Sequence, residues 1–126
     1  MGLRLLLVED ESLIAMMVED MAEELGHAVV AKAVNIKEAT DLIEVGGFDV
    51  ALLDVNLAGE FSYGLAEMLR TRDVPFIFTT GYGAGIEVRW RTCRILQKPF
   101  AQDQLKVELA ALENSSLGPS FRSSSV

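Results

Sequence analysis

The stretch "FDVALLDVNLAGE", residues 48–60, decides the fold. Val50 to Leu53 form an unbroken apolar run, and a carboxylate, Asp54, ends it. A strand without polar alternation is buried on both faces, as in a parallel sheet. An ionised carboxylate at the end of such a strand is costly unless something compensates it. That compensation has to come from elsewhere in the chain or from a bound cation.

Outward from this strand, apolar runs and helical periodicities alternate. Leu3 to Val8 reads as a first strand, stopped by Glu9, Asp10 and Glu11. Residues 12–25 carry Leu13, Met16, Met17, Met21 and Leu25 at helical spacing, with Ser12 as N-cap and Gly26 as stop. The methionines are expected to fill the core. "HAVVAKAV", residues 27–34, is a second strand, with His27 structural. Asn35 can cap a helix over 36–45 that Gly46-Gly47 ends. The central strand covers 49–55, and a third helix covers 63–71. "FIFTT", 76–80, and "CRILQ", 93–97, are the fourth and fifth strands, with Cys93 read as a small buried hydrophobe. Gly81, Gly83 and Gly85 weaken any helix between them to about a turn. A last helix runs over 101–113.

Alternation of strand and helix predicts an α/β fold, a doubly wound five-stranded parallel sheet of the flavodoxin-like (βα)5 kind. The chain has 126 residues, 50% of them hydrophobic, which suits one domain with a real core. That domain is expected over 1–114, and the serine-rich, aperiodic 115–126 reads as a disordered tail. A net charge of −8 lacks the basic footprint of a nucleic-acid binder. The single cysteine, Cys93, excludes an intramolecular disulfide and a cysteine metal site, and fits a reducing cytoplasm. The apolar N-terminal run is too short for a signal peptide or a membrane span.

In doubly wound sheets ligands sit beyond the carboxyl ends of the strands. The residues predicted there are Glu9 and Asp10 after the first strand, Asp54 after the third, Thr79 and Thr80 ending the fourth, and Lys98 before Pro99 after the fifth. Clustered carboxylates repel one another unless a cation joins them. Hard oxygen ligands suit Mg²⁺. A carboxylate kept ionised in this way can take up a phosphoryl group as an aspartyl phosphate. Lys98 would hold a phosphoryl oxygen by its point charge. Only one threonine of the pair can face the site, and Thr80, the last residue before Gly81, is the choice.

This set resembles the receiver domain of two-component response regulators. The matching motifs are "LLLVEDE" (5–11), "ALLDVNL" (51–57), "FIFTTGY" (76–82) and "LQKPF" (96–100). The resemblance implies that Asp54 is the phospho-acceptor, served by a sensor histidine kinase in a Mg²⁺-dependent step. It implies that Glu9, Asp10, Asp54 and the backbone carbonyl of Asn56 hold the metal. It gives Thr80 the role of switch hydroxyl, Lys98 that of the family's lysine, and Pro99 a cis peptide. "FTTGYG" also resembles a receiver subgroup with a Phe-x-Thr-Gly-Tyr motif, found among single-domain regulators. Such a protein is a cytoplasmic signalling module and not an enzyme. It passes its signal by protein contact or phosphorelay to a downstream partner that the sequence does not identify. Ile95 and Ala58 depart from the family's usual aromatic and proline.

Blander readings compete. Asp54 can cap the next turn, and Lys98 can be an ordinary surface lysine. Trp90 either forms part of a partner surface or anchors its loop from inside. Tyr82 is placed to shield a phosphoryl group from water. An aspartyl-phosphate hydrolase would need a carboxylate at Asn56, a dinucleotide fold fails at Ile86 in "GYGAGI", and a phosphorylation-independent binding module would not need the acidic cluster.

Overall fold

The computed structural model describes residues 2–81 and 86–115. Five parallel strands form one sheet: β1 (Arg4–Val8), β2 (Ala28–Ala33), β3 (Val50–Asp54), β6 (Phe76–Thr80) and β7 (Ile95–Gln97), in the order β2-β1-β3-β6-β7. A two-residue hairpin, β4 (Asn56–Leu57) and β5 (Glu60–Phe61), follows β3. Among the described residues four α-helices pack with the sheet: α1 (Ser12–Glu24), α2 (Ile36–Val45), α3 (Tyr63–Thr71) and α4 (Gln102–Ser115). Among the described residues between β6 and β7 there is a single 3-10 turn, Val88–Trp90. This is the flavodoxin-like doubly wound sheet that the alternation predicts. The assignment of 115–126 as a disordered tail falls on 116–126 and, like the role given to Tyr82, lies outside the described residues.

All five residues of β3 are buried. The alternation of side chains explains why none is polar before Asp54. Val50 and Leu52 join Leu5, Leu7, Ile77 and Leu96 in one core layer, closed by Val18 and Ala22 of α1 and Leu105 and Leu109 of α4. Ala51 and Leu53 join Leu6, Val8 and Phe78 in the opposite layer, closed by Ala39 and Ile43 of α2 and Leu65 and Leu69 of α3. At about 1.5–3 kcal/mol per buried aliphatic side chain, these two layers dominate the stability.

Local signals fix the helix ends. Asn35 Oδ1 accepts from the Glu38 N–H at 2.8 Å, while Glu38 Oε1 accepts from the Val34 N–H at 3.0 Å. Gly46, at φ +75°, ends α2. The α1 expectation is corrected in two respects. Glu11 is its N-cap residue, not Ser12, and no side chain caps it. Its inward face is Val18 and Ala22, with Met21 partly buried, whereas Leu13, Met16 and Met17 are exposed and do not fill the core. Apolar residues surround most of the first two turns of α1, so periodicity alone does not choose a face.

The last strand is shorter than expected, starting at Ile95, so Cys93 lies in the turn before it. Cys93 is half-buried, and its Sγ accepts from Arg70 Nη2 at 3.6 Å. Residues 57–60 form the hairpin tip. Ala58 (φ +51°) and Gly59 (φ +95°) both adopt positive φ, as a two-residue primed turn requires. Proline, fixed near φ −65°, cannot occupy position 58 in this turn. His27 is structural as expected, its Nδ1 accepting the Leu3 N–H at 2.9 Å. Among the described residues no helix is long and apolar enough to cross a membrane.

Candidate phosphoryl-acceptor site

The chain crosses from one side of β1 to the other to lay β2 and β3 on its two flanks. The carboxyl ends of β1 and β3 therefore border the switch point, where such sheets bind ligands. Side-chain alternation carries Leu5 and Leu7 on to Glu9, Leu52 on to Asp54, and Leu96 on to Lys98. These three polar side chains meet above one core layer.

Their contact is direct. Lys98 Nζ donates to Glu9 Oε1 at 2.8 Å and to Asp54 Oδ2 at 3.0 Å. Glu9 and Asp54 are each only 4% exposed. The remaining oxygens are also held. Glu9 Oε2 accepts from the Glu11 N–H at 3.1 Å, and Asp54 Oδ1 from the Asn56 N–H at 3.3 Å. Carboxylate oxygens of Glu9, Asp10 and Asp54 lie within 4.8 Å of one another. Three carboxylates against one ammonium leave an excess of negative charge and a cluster of hard oxygens, a donor set that suits a divalent cation such as Mg²⁺.

Burial pushes the Asp54 carboxyl up from 3.8 to about 6. The Glu9 charge acts in the same direction, while the Lys98 and Asn56 hydrogen bonds oppose it. Burial works against the Lys98 ammonium, but its bonds to Glu9 and Asp54 outweigh that and raise its pKa above the usual value. A carboxyl with a pKa of about 6 is about 90% ionised at pH 7.

The two threonines stand differently. Across the β3–β6 pairing Asp54 is opposite Thr79, with Thr80 one residue further along. Both are buried. The Thr80 hydroxyl donates to the Gly81 carbonyl at 3.3 Å, and the Thr80 carbonyl accepts the Lys98 N–H at 2.7 Å. Thr80 thus adjoins the lysine through the backbone. The Lys98–Pro99 peptide is cis, as the motif implied. Asn56 is exposed, with its side-chain oxygen accepting from Gly59 N–H at 2.7 Å.

One contributor is missing from the sequence reading. Ser62, fully buried, donates its hydroxyl to the Asp54 carbonyl at 2.6 Å, and its N–H bonds the Val55 carbonyl at 2.9 Å. It clamps the backbone that carries the Asp54 carboxylate. A serine just ahead of the third helix reads as an ordinary cap, so no local signal sets it apart. Trp90, undecided in the sequence, is fully buried and anchors its segment from inside.

An acidic cluster bridged by a lysine, at the switch point of a five-stranded parallel sheet, defines a phosphoryl-receiver architecture. The family model for the response regulator receiver domain matches residues 5–110, and the chain belongs to that family of signalling modules. Among solved structures, the chain is similar to SdrG from Sphingomonas melonis Fr1, at 45% identity and TM-score 0.81, over 89% of this chain and 97% of that one. It is similar at 25% identity and TM-score 0.75 to the receiver domain of the sensor histidine kinase PA1611 from Pseudomonas aeruginosa PAO1, solved with a magnesium ion in its active-site cleft, over 90% of this chain and 99% of that one. The cell cycle response regulator CtrA of Brucella ovis is 32% identical over 123 residues, which cover 92% of this chain and 52% of that protein. The chain spans about half the length of the curated relatives it matches.

Proposed function

We propose that this receiver takes a phosphoryl group onto Asp54 from the phosphohistidine of a sensor histidine kinase. The observation that carries the reading is the Lys98 bridge, which joins Glu9 and Asp54 at 2.8 and 3.0 Å from positions far apart in the chain. In the transfer, an Asp54 carboxylate oxygen attacks phosphorus and forms the new P–O bond. The donor's P–N bond breaks, and the imidazole leaves with the electron pair. Glu9, Asp10, Asp54 and the Asn56 carbonyl would hold Mg²⁺, which when bound neutralises charge on the phosphoryl oxygens. Lys98 then moves its ammonium from the carboxylate to a phosphoryl oxygen at little cost, because its stem is already in place. Thr80 supplies a hydroxyl donor to another phosphoryl oxygen. Ser62 holds the acceptor's backbone still while the side chain reacts.

The receiver unit spans 1–114, and its output is contact with a downstream protein or onward transfer of the phosphoryl group, in the cytoplasm. The test is incubation with acetyl phosphate or phosphoramidate on a phosphate-retarding gel. A shift is expected that needs Mg²⁺ and disappears in Asp54→Asn. A shift that survives in Asp54→Asn refutes the assignment.

A further inference from the structure

We propose that Ser62 is a positioning residue that fixes the direction of the Asn56 backbone carbonyl and so sets the preference of the acidic cluster for a small divalent cation over a larger one. The proposal rests on the reading that Glu9, Asp10 and Asp54 hold Mg²⁺, and it deepens that reading by assigning what makes the site selective. Ser62 is the residue just before α3, where a serine hydroxyl ordinarily caps its own helix. Here it makes no cap bond. The side chain is fully buried and donates instead to the Asp54 carbonyl at 2.6 Å, while the Ser62 N–H donates to the Val55 carbonyl at 2.9 Å. Both donors of one residue are thus spent on the backbone that follows the buried carboxylate.

These bonds set the register of the hairpin. Bonded and non-bonded pairs alternate along antiparallel strands. The Ser62 N–H bonds Val55, so the next pair, Asn56 and Phe61, is a non-bonded one. The backbone N–H and carbonyl of Asn56 therefore point away from Phe61. The N–H shows the direction, because it donates to Asp54 Oδ1 at 3.3 Å. In an extended chain a residue's carbonyl leaves on the same side as its N–H, so Asn56 turns its carbonyl toward the acidic cluster. The rest of the hairpin is held as firmly. Val55 and Leu57 are buried in the core, Asn56 Oδ1 accepts the Gly59 N–H at 2.7 Å across the tip, and the Val55 N–H bonds the Thr79 carbonyl at 2.9 Å. Asp54 and Asn56 thus stand on one short piece of backbone, pinned to β6 on one side and to the start of α3 on the other. Mg²⁺ takes oxygens at about 2.0–2.1 Å in a near-ideal octahedron, whereas Ca²⁺ takes them at about 2.3–2.6 Å in adaptable geometry. A pair of donors that cannot spread favours the smaller ion, and Ser62 is the link whose loss lets them spread.

Metal binding to the full chain is read with no phosphodonor present. Mn²⁺, which also takes oxygen ligands, is added and its free fraction followed by electron paramagnetic resonance. MgCl₂ or CaCl₂ then displaces it, which gives a Kd for each ion. Wild type is expected to bind Mg²⁺ more tightly than Ca²⁺. In Ser62→Ala the Mg²⁺ affinity should fall about tenfold, as removal of a group that supports a metal ligand does, with a severalfold smaller loss for Ca²⁺. Asn56→Ala keeps the backbone carbonyl but frees the hairpin tip at an exposed position, and should move the ratio in the same direction. Loss of both affinities by one factor in Ser62→Ala means a merely structural role and overturns the proposal, as does a wild type without preference; either leaves the metal reading standing. Where circular dichroism shows Ser62→Ala unfolded, an unchanged ratio in Asn56→Ala overturns the proposal in its place. Failure of Mg²⁺ to displace Mn²⁺ from wild type overturns the metal reading and the proposal with it.

Discussion

Asp54→Asn is expected to make the metal-free protein more stable, although it removes the side chain at the centre of the site. The folded protein holds the Asp54 carboxyl at about 6 against 3.8 for an ordinary aspartate, mainly because it is buried. A raised carboxyl pKa means that the folded state prefers the protonated form. Ionisation therefore costs stability, fully above pH 6 and not at all below the unfolded value. Integrated over the two values, the cost is about 3 kcal/mol at pH 8, about 2 at pH 5 and below about 1 at pH 4. The Lys98 contact is already included, because it acts on the same pKa. Asparagine keeps the shape and cannot ionise. At pH 8 in EDTA the variant should melt about 10 °C above wild type, since 1 kcal/mol moves Tm by roughly 3–5 °C at this size. The gap should close on acidification to pH 4. It should also narrow in saturating Mg²⁺, which stabilises only the ionised wild type to the full extent. Thermal unfolding followed by circular dichroism measures this. A variant no more stable than wild type at pH 8, or a gap that ignores pH, refutes the reasoning.

Three further outcomes follow from the same geometry. Lys98→Met leaves Glu9 and Asp54 facing each other at 4% exposure without their cation; denaturant unfolding in EDTA should show a loss of about 3–5 kcal/mol, with partial recovery on adding Mg²⁺. Ser62→Ala orphans the buried Asp54 carbonyl and should cost about 1–3 kcal/mol in the same assay. Thr80→Ala should slow phosphorylation from a small-molecule donor by about tenfold or more, as loss of one charge-stabilising donor does, while Thr79→Ala should not; the reverse pattern would transfer the role to Asp54's register partner.

Much of the fold was legible because β3 carries its own diagnosis. A strand buried on both faces shows an uninterrupted apolar run, so Val50–Leu53 pointed to a parallel sheet without any partner in view. The helices over 36–45 and 63–71 were bounded by Asn35, Gly46 and their own periodicity, which are local signals. The acidic cluster and Lys98 were legible because the ends of parallel strands share one rim, so strand assignment alone brought Glu9, Asp54 and Lys98 together. The face of α1 was not legible. Leu13, Met16 and Met17 are as apolar as the residues that α1 buries, and only tertiary packing selects Val18 and Ala22. The hairpin after Asp54 has strands of two residues, shorter than any period can register. Its turn depends on positive φ at Ala58, a residue that does not advertise it. Ser62 and the Tyr63–Trp90 stack are contacts between distant or unremarkable positions, so they exist only once the chain is folded.

The central claim is that Asp54 carries the phosphoryl group, and borohydride trapping tests it most directly. Reduction converts an aspartyl phosphate to homoserine, which peptide mass mapping locates to a single residue. After incubation with a phosphodonor and Mg²⁺, homoserine is predicted at position 54, and at no other aspartate. Homoserine at another aspartate, or none at 54 in a sample whose gel mobility shows phosphorylation, would contradict the account.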